Sequence, residues 1–446
     1  MYRVIIISAF LLLSVVVAGA ETTKLSLREA MSMALENNNQ IKAARFTADA
    51  ASQGGGIANS RYLPAVLLEE TFAASNSPTS AFMMKLDEGR FTTDDFYPSS
   101  LNNPPTRHDF KTVLSIQQPL FAPSLSPLKD LAVKDAQKSE LELEAARQGT
   151  AFQVFFTYLE VQKADAQLKA TDKAVGDARE NMRLASVRTS AGVGLRSDEL
   201  RSRTHMATVE QQYISAQNNL LLAKMKLALL IGLPEDTPYE ISGFQEGVAV
   251  PVISDQVITA ALENRVEIKQ SHVDLDKSNA ALRLAWSEYL PTVGAFASYQ
   301  LNAKDAPFTS DNDSWSAGVA LKWHIFDGFR TNSERKRALS GQSAAREMLA
   351  SKTKDIRYQL KESYVRRDEA GKRLEVTRHA VQDAEETVRL LTKRYENSLA
   401  TLVELLDAQS ALNQSRANLV ETEAGYALAG GRIYYMTGTF VKEMLK

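Results

Sequence analysis

Two stretches of this chain, a constant 227 positions apart, spell the same element twice. Ala34-Leu35-Glu36-Asn37 recurs as Ala261-Leu262-Glu263-Asn264, Ile41-Lys42 as Ile268-Lys269, and Tyr62-Leu63-Pro64 as Tyr289-Leu290-Pro291. Further along, the register becomes 206 and pairs Gln153 with Gln359, Tyr158 with Tyr364 and Arg188 with Arg394. The change of register marks a longer insertion in the first copy, beginning near Ser75. The reading is an internal tandem duplication, so any fold for the chain has to be one unit used twice. The divisions expected are a first repeat over 21–231, a linker over 232–253 rich in Gly, Pro and acids, a second repeat over 254–432, and a tail over 433–446.

Residues 1–20 read as a secretory signal peptide. Arg3 supplies the basic start, Val4 to Val17 the apolar run, and Ala18-Gly19-Ala20 the small-residue cleavage signal before Glu21. The mature chain is therefore expected to leave the cytoplasm. It contains no cysteine, which excludes disulfides, cysteine-ligated metals and a lipid carried on an N-terminal cysteine. No later window is an unbroken apolar run of about 18 residues, so no membrane helix is expected. Lys+Arg 52 against Asp+Glu 54 leaves a net charge of -2, which argues against a nucleic-acid partner held by bulk electrostatics.

The repeated unit has a readable order. Each half opens with an amphipathic helical segment, Leu25 to Arg61 and Ser254 to Glu288, closed by a proline at Pro64 and Pro291. Alternation of period two follows. Val293, Ala295, Ala297, Tyr299 and Leu301 share one face; Trp315, Ala317, Val319, Leu321, Trp323 and Ile325 repeat the pattern. In the first half Phe110, Thr112, Leu114 and Ile116 do the same. Such strands suit either a membrane barrel or a half-buried sheet in a soluble sandwich. Two long proline-free helical stretches come next, about Leu128 to Thr189 and Glu334 to Tyr395, each near 90 Å at about 1.5 Å per residue. Val154, Val161, Leu168, Val175 and Met182 recur every seven residues, with small Thr157, Ala164, Thr171, Ala178 and Ala185 three places on. That large-and-small seam packs as a coiled coil. Each long helix ends at a short break, Ser190 to Gly194 and Asn397 to Ala400, and a returning helix follows. Each half is thus two strands and a long helical hairpin.

The whole mature chain resembles the TolC-like outer-membrane efflux protein family. Val403-Glu404-Leu405-Leu406-Asp407-Ala408 is similar to the family's V-D-V-L-D-A segment past the second hairpin tip. Ile231-Gly232-Leu233-Pro234 is similar to its ending of the first hairpin, and Trp323-His324-Ile325-Phe326-Asp327-Gly328 to its strand-to-helix junction. The resemblance implies an α+β membrane protein: four strands per chain, three chains closing a twelve-stranded β-barrel, and a coiled-coil α-helical barrel continuing into the periplasm. Elementary physics points the same way once insertion is granted, because a four-stranded sheet in lipid would leave its edges unpaired. The implied role is the exit duct of a tripartite efflux or type I secretion system in the Gram-negative outer membrane. The implied partners are two further copies (a homotrimer), outer-membrane lipid, a periplasmic adaptor and an inner-membrane transporter; nucleic acid is not among them. The alternative is a soluble periplasmic coiled-coil scaffold.

Nothing in the sequence points to an enzyme, a cofactor or a bound metal. His108, His205, His272, His324 and His379 are scattered and lack metal-site spacing. Gly54-Gly55-Gly56 has helical flanks and no following G-K-[ST], so it reads as helix rather than phosphate loop. The resemblance places Glu404 and Asp407 at the narrow periplasmic aperture, and Tyr395 on the family's gate tyrosine. Its gate arginine falls on Ala400, so that lock is absent and closure needs another device. The adaptor would meet the two tips. At the first, two registers compete, Ala191-Gly192-Val193 and Val193-Gly194-Leu195; at the second stands Asn397-Ser398-Leu399. The first surface loop, Ser75 to Asp109, is far longer than the second, Asn302 to Asp313, and its Phe82, Met83, Met84, Phe91, Phe96 and Tyr97 suit a loop folded over the outer mouth.

Overall fold

The structure is a computed structural model describing residues 23–234, 237–242 and 249–446; the expected signal peptide lies outside them. In chain order the elements are β1 (Thr23–Leu25), α1 (Leu27–Asn37), α2 (Asn39–Ser60), β2 (Ala65–Ser75), α3 (Pro78–Asp87), a 3-10 turn (Thr93–Phe96), α4 (Pro98–Asn102), β3 (Arg107–Phe121), α5 (Leu125–Ser190) and α6 (Arg196–Ile231). Then come β4 (Tyr239–Ile241), α7 (Asp255–Asn264), α8 (Val266–Ser287), β5 (Thr292–Ala303), β6 (Asn312–Lys322), α9 (Arg330–Glu396), α10 (Leu402–Met436) and α11 (Phe440–Met444). Helix–helix–strand–strand–long helix–helix therefore occurs twice.

The opening helix of each half differs from expectation: it is two helices, not one. The break falls at Asn38 and at Arg265, 227 positions apart, and both residues adopt extended backbone inside a helical run. Each is buried and holds a polar partner, which fixes the kink. The Asn38 side-chain amide donates to the Leu230 carbonyl at 2.9 Å, and Arg265 pairs with Glu267 at 2.6 Å. The 232–253 stretch, expected as linker, contributes β4, which pairs in parallel with β1. Trp323 and Ile325 lie just past the end of β6. The long surface loop begins and ends inside strands β2 and β3 and contains α3 and α4.

The chain forms two compact units. One comprises residues 40–147 and 254–360. Its sheet is antiparallel in the order β2-β3-β5-β6, leaving β2 and β6 as edges. Opposed residues share a face, so Phe110, Leu114, Ile116, Tyr299, Leu301 and Trp315 lie on one side. Asp109, Lys111, Asn302 and Asn312 lie on the other. Helices follow the same order. Gly54 of α2 packs on Ala132 of α5, Lys134 and Lys138 of α5 pair with Asp276 and Asp274 of α8, and Asn279 of α8 bonds Gln342 of α9.

The other unit holds the residues up to 39, 148–253 and 361–446. Its core joins Met31, Phe155, Tyr158, Leu227, Ile231 and Phe440, all essentially inaccessible to water. Burying side chains of this size contributes roughly 1.5–3 kcal/mol each. The Tyr158 hydroxyl reaches the Leu25 carbonyl at 3.0 Å, so the ring is buried with its polar atom satisfied. Gly431 is required here: a Cβ on it would stand 2.2 Å from Phe155. Residues 433–446 supply the end of α10 and the buried Phe440 of α11. The helix order is α6-α5-α10-α9. Ala174 and Ala178 of α5 meet Met206 and Val209 of α6, Asn181 of α5 bonds Gln409 of α10 at 2.5 Å, and Tyr426 of α10 bonds Arg367 of α9. The large-and-small heptad seam is what lets α5 sit between two neighbours.

Candidate functional site: the two hairpin tips

Both tips are built alike. The last turn of α5 closes when the backbone amides of Gly192 and Val193 bond the carbonyls of Thr189 and Arg188. The last turn of α9 closes through Ser398 and Leu399 onto Tyr395 and Arg394. Such C-terminal closures require one residue in the left-handed region. At the first tip it is Gly192, with φ of 76°; at the second it is Ser398, with φ of 62°, in the same register of 206. For a residue with a side chain that conformation costs about 1–2 kcal/mol. Two places on, Gly194 is sterically compelled, because a Cβ there would lie 2.9 Å from the Arg188 and Thr189 backbone. Ala400 occupies the corresponding place and packs against the cluster around Tyr395.

Tyr395 is buried among Leu402, Leu405 and Leu406. Burial pushes its phenol above the ordinary value; Arg188 pulls it down and Asp198 pushes it up. Arg188 comes from the other hairpin. Its guanidinium lies 4.9 Å from the Tyr395 ring centre, donates to the Tyr395 carbonyl at 2.8 Å and donates to the Ser398 hydroxyl at 2.8 Å. A cation on an aromatic face contributes about 0.5–2 kcal/mol, more as water is excluded. Arg394, its counterpart in the repeat, donates instead to its own turn at Leu399. Identity in register thus singles out Arg188 in the sequence without revealing that it crosses to the second hairpin.

Glu404 and Asp407 share the exposed face of α10, opposite the buried Leu402, Leu405 and Leu406. Glu404 also works locally. Its carboxylate accepts from the Thr401 amide at 2.7 Å and the Thr401 hydroxyl at 2.9 Å, completing a capping box. Those bonds hold its carboxyl below the usual range. The pattern Thr401-x-x-Glu404 was open to sequence reading and is the signal that finds this role. At the first tip Val193 and Leu195 are 70% and 67% exposed; Leu399 is the corresponding exposed side chain at the second. Among the described residues no group of three His, Asp or Glu is placed to hold a metal ion.

The pattern of the family described as outer membrane efflux protein matches residues 30–233 and 257–439. Nodulation protein T of Rhizobium leguminosarum bv. trifolii is 23% identical over 322 residues, 68% of each chain. The alkaline protease secretion protein AprF of Pseudomonas aeruginosa is 22% identical over 420 residues, 93% of this chain and 84% of that one. Among solved structures, the outer membrane protein VceC of Vibrio cholerae superposes with a TM-score of 0.75 at 19% identity, covering 92% of this chain and 96% of its own. The fold is therefore that of the TolC-like channels, mostly helical with some sheet. The chain belongs to the outer membrane efflux protein family and is an outer-membrane channel of efflux or type I secretion, extending into the periplasm.

Proposed function

We propose that the chain works as a homotrimeric exit duct, descended from an internal tandem duplication, that receives cargo from an inner-membrane transporter through a periplasmic adaptor. One observation carries this reading: each compact unit ends in two unlike, unmatched flanks. The sheet ends in β2 on one side and β6 on the other. The helix layer ends in α6, with exposed Ile214, Leu221, Leu222 and Leu229, and in α9, with exposed Val365 and Val376. Unlike flanks join head to tail, and a head-to-tail contact closes into a ring when its rotation permits. Three copies of four strands give a twelve-stranded barrel with no free edge, the condition a sheet must meet in lipid. The apolar face with Trp315, Val319 and Leu321 then meets outer-membrane lipid, and the polar face lines the duct.

In such a ring Glu404 and Asp407 from three copies would line the periplasmic aperture and favour cations. Mutual repulsion would oppose the lowering that the Thr401 cap imposes on the Glu404 carboxyl. Tyr395 is the gate residue, held by Arg188 in place of the arginine missing at Ala400. Residues 191–195 and 397–399 are the adaptor contacts. Light scattering on a channel-active detergent preparation tests the assembly. A protein mass of three chains is expected, and a single-chain mass with full channel activity would overturn it.

A further inference from the structure

The sheet end opposite the long helices carries two loops of unequal size. The short one runs from 304 to 311; the other spans 76–106 and is folded. Its core is a run of edge-on rings, Phe82 to Phe91 at 4.6 Å and Phe91 to Phe96 at 5.0 Å, above a buried Ala81. Lys85 and Asp95 pair within it and are only 16% exposed. A disordered loop would have neither feature.

The folded segment is seated on the sheet. Asn312 donates its side-chain amide to the Asp87 carbonyl at 2.9 Å, and Gly89, with φ of 68°, brings the backbone against Asn312; a Cβ there would touch it at 3.3 Å. Asn312 lies on the polar face, with Asp109 and Asn302. At the seat two carboxylates are buried, Glu88 at 4% and Asp109 at 6% exposure. Glu88 pairs with Arg90 at 2.8 Å. One oxygen of Asp109 accepts from Asn302 at 2.7 Å; the other, Oδ1, is enclosed and has no hydrogen-bond partner among the described residues. The charges facing Glu88 are Arg90 from its own loop, Asp109 from β3 and Asp311 from the opposite loop. Those facing Asp109 are Asp87 and Lys111. Carboxylates outnumber cations in an enclosed place, and an ionised group left unpaired there is costly.

We propose that residues 78–102 form a cap over the polar face of the sheet, and that the Glu88–Asp109 pair makes its seat proton-sensitive, holding firmly in acid and loosening towards neutral pH. Burial first, then the charges of Asp109 and Asp311, raise the Glu88 carboxyl above its ordinary value against the pull of Arg90. A carboxyl raised in the seated state favours seating while it keeps its proton. That advantage is lost as pH rises through the raised value. The inference extends the duct reading by adding control at the loop end of the sheet, but its test does not depend on transport.

The test is tryptic cleavage after Arg90 in the full-length protein in detergent, followed by mass spectrometry and normalised at each pH to a small peptide substrate. Wild type should be cut about fivefold faster at pH 8 than at pH 5.5, and Glu88→Gln or Asp109→Asn should be slow at both. Asn312→Ala, which removes the anchor without touching a carboxylate, should be fast at both. A wild-type rate independent of pH, or a pH response surviving intact in Glu88→Gln, would overturn proton control. Slow cleavage in Asn312→Ala would overturn the seat itself.

Discussion

The two hairpin tips share one turn geometry and carry different chemistry. The first has glycine where the backbone turns left-handed and glycine again where a side chain would strike Arg188. Its apolar residues point outward. The second holds Ser398 in the same strained conformation, has Ala400 two places on and turns Leu402, Leu405 and Leu406 inward around Tyr395. Arg188 spans the difference, leaving its own hairpin to bind the other. Both tips expose apolar side chains, Val193 and Leu195 at the first and Leu399 at the second, and the second also carries a buried core around Tyr395. The two turns differ where the backbone is left-handed, with glycine at 192 and serine at 398.

The largest break in this comparison should come at the first tip. Replacing Gly192 and Gly194 together with Leu forces a side chain into the left-handed region and another into the Arg188 backbone. Export should fall to background, measured as resistance or secretion at normal protein level, while trimer assembly persists. Retained export would remove this tip from the adaptor interface.

The next effect tests the acidic pair. Glu404→Gln with Asp407→Asn should shift the reversal potential in a salt gradient towards non-selectivity and relieve block by trivalent cations. Charges on a solvated outer face would be screened within about 8–10 Å at physiological salt and would change neither. Acid should mimic the variant. Because the Glu404 carboxyl is held low by its cap, its charge and the cap persist above the ordinary carboxylate value and are lost as pH falls through the lowered one.

Smaller effects separate the cap from the pore. Thr401→Ala should destabilise the start of α10 by about 1 kcal/mol, seen as a lower midpoint in denaturant, with selectivity unchanged. Ser398→Gly relieves backbone strain but loses the Arg188 bond, so stability should move by less than about 1 kcal/mol in either direction. A loss several times larger would mean that the second tip depends on Ser398 far more than its contacts suggest.

Much of this was legible in the sequence because periodicity and repetition report backbone and packing directly. Proline at 64 and 291, alternation over 293–301 and the seam from Val154 to Met182 place strands and long helices correctly. The kinks at Asn38 and Arg265 were hidden, since their cause is a distant partner at Leu230 and an ion pair, not a helix breaker. The repeat register drew attention to Arg188 and Arg394, yet equal residues in equal turns give no hint that only one reaches across. The cap at 78–102 was visible as aromatic weight in a long loop, but its carboxylate seat depends on strands some 200 residues later.

Arg188 and Arg394 are unequal in what they hold, and single-channel recording tests that inequality directly. Arg188→Ala and Arg394→Ala should be compared with wild type in planar bilayers under one salt condition. Arg188→Ala removes both bonds and the ring contact that tie the tips together, so its conductance should rise several-fold, while Arg394→Ala stays near wild type. Equal conductances for the two variants, whether both raised or both unchanged, would contradict the division of labour between the tips.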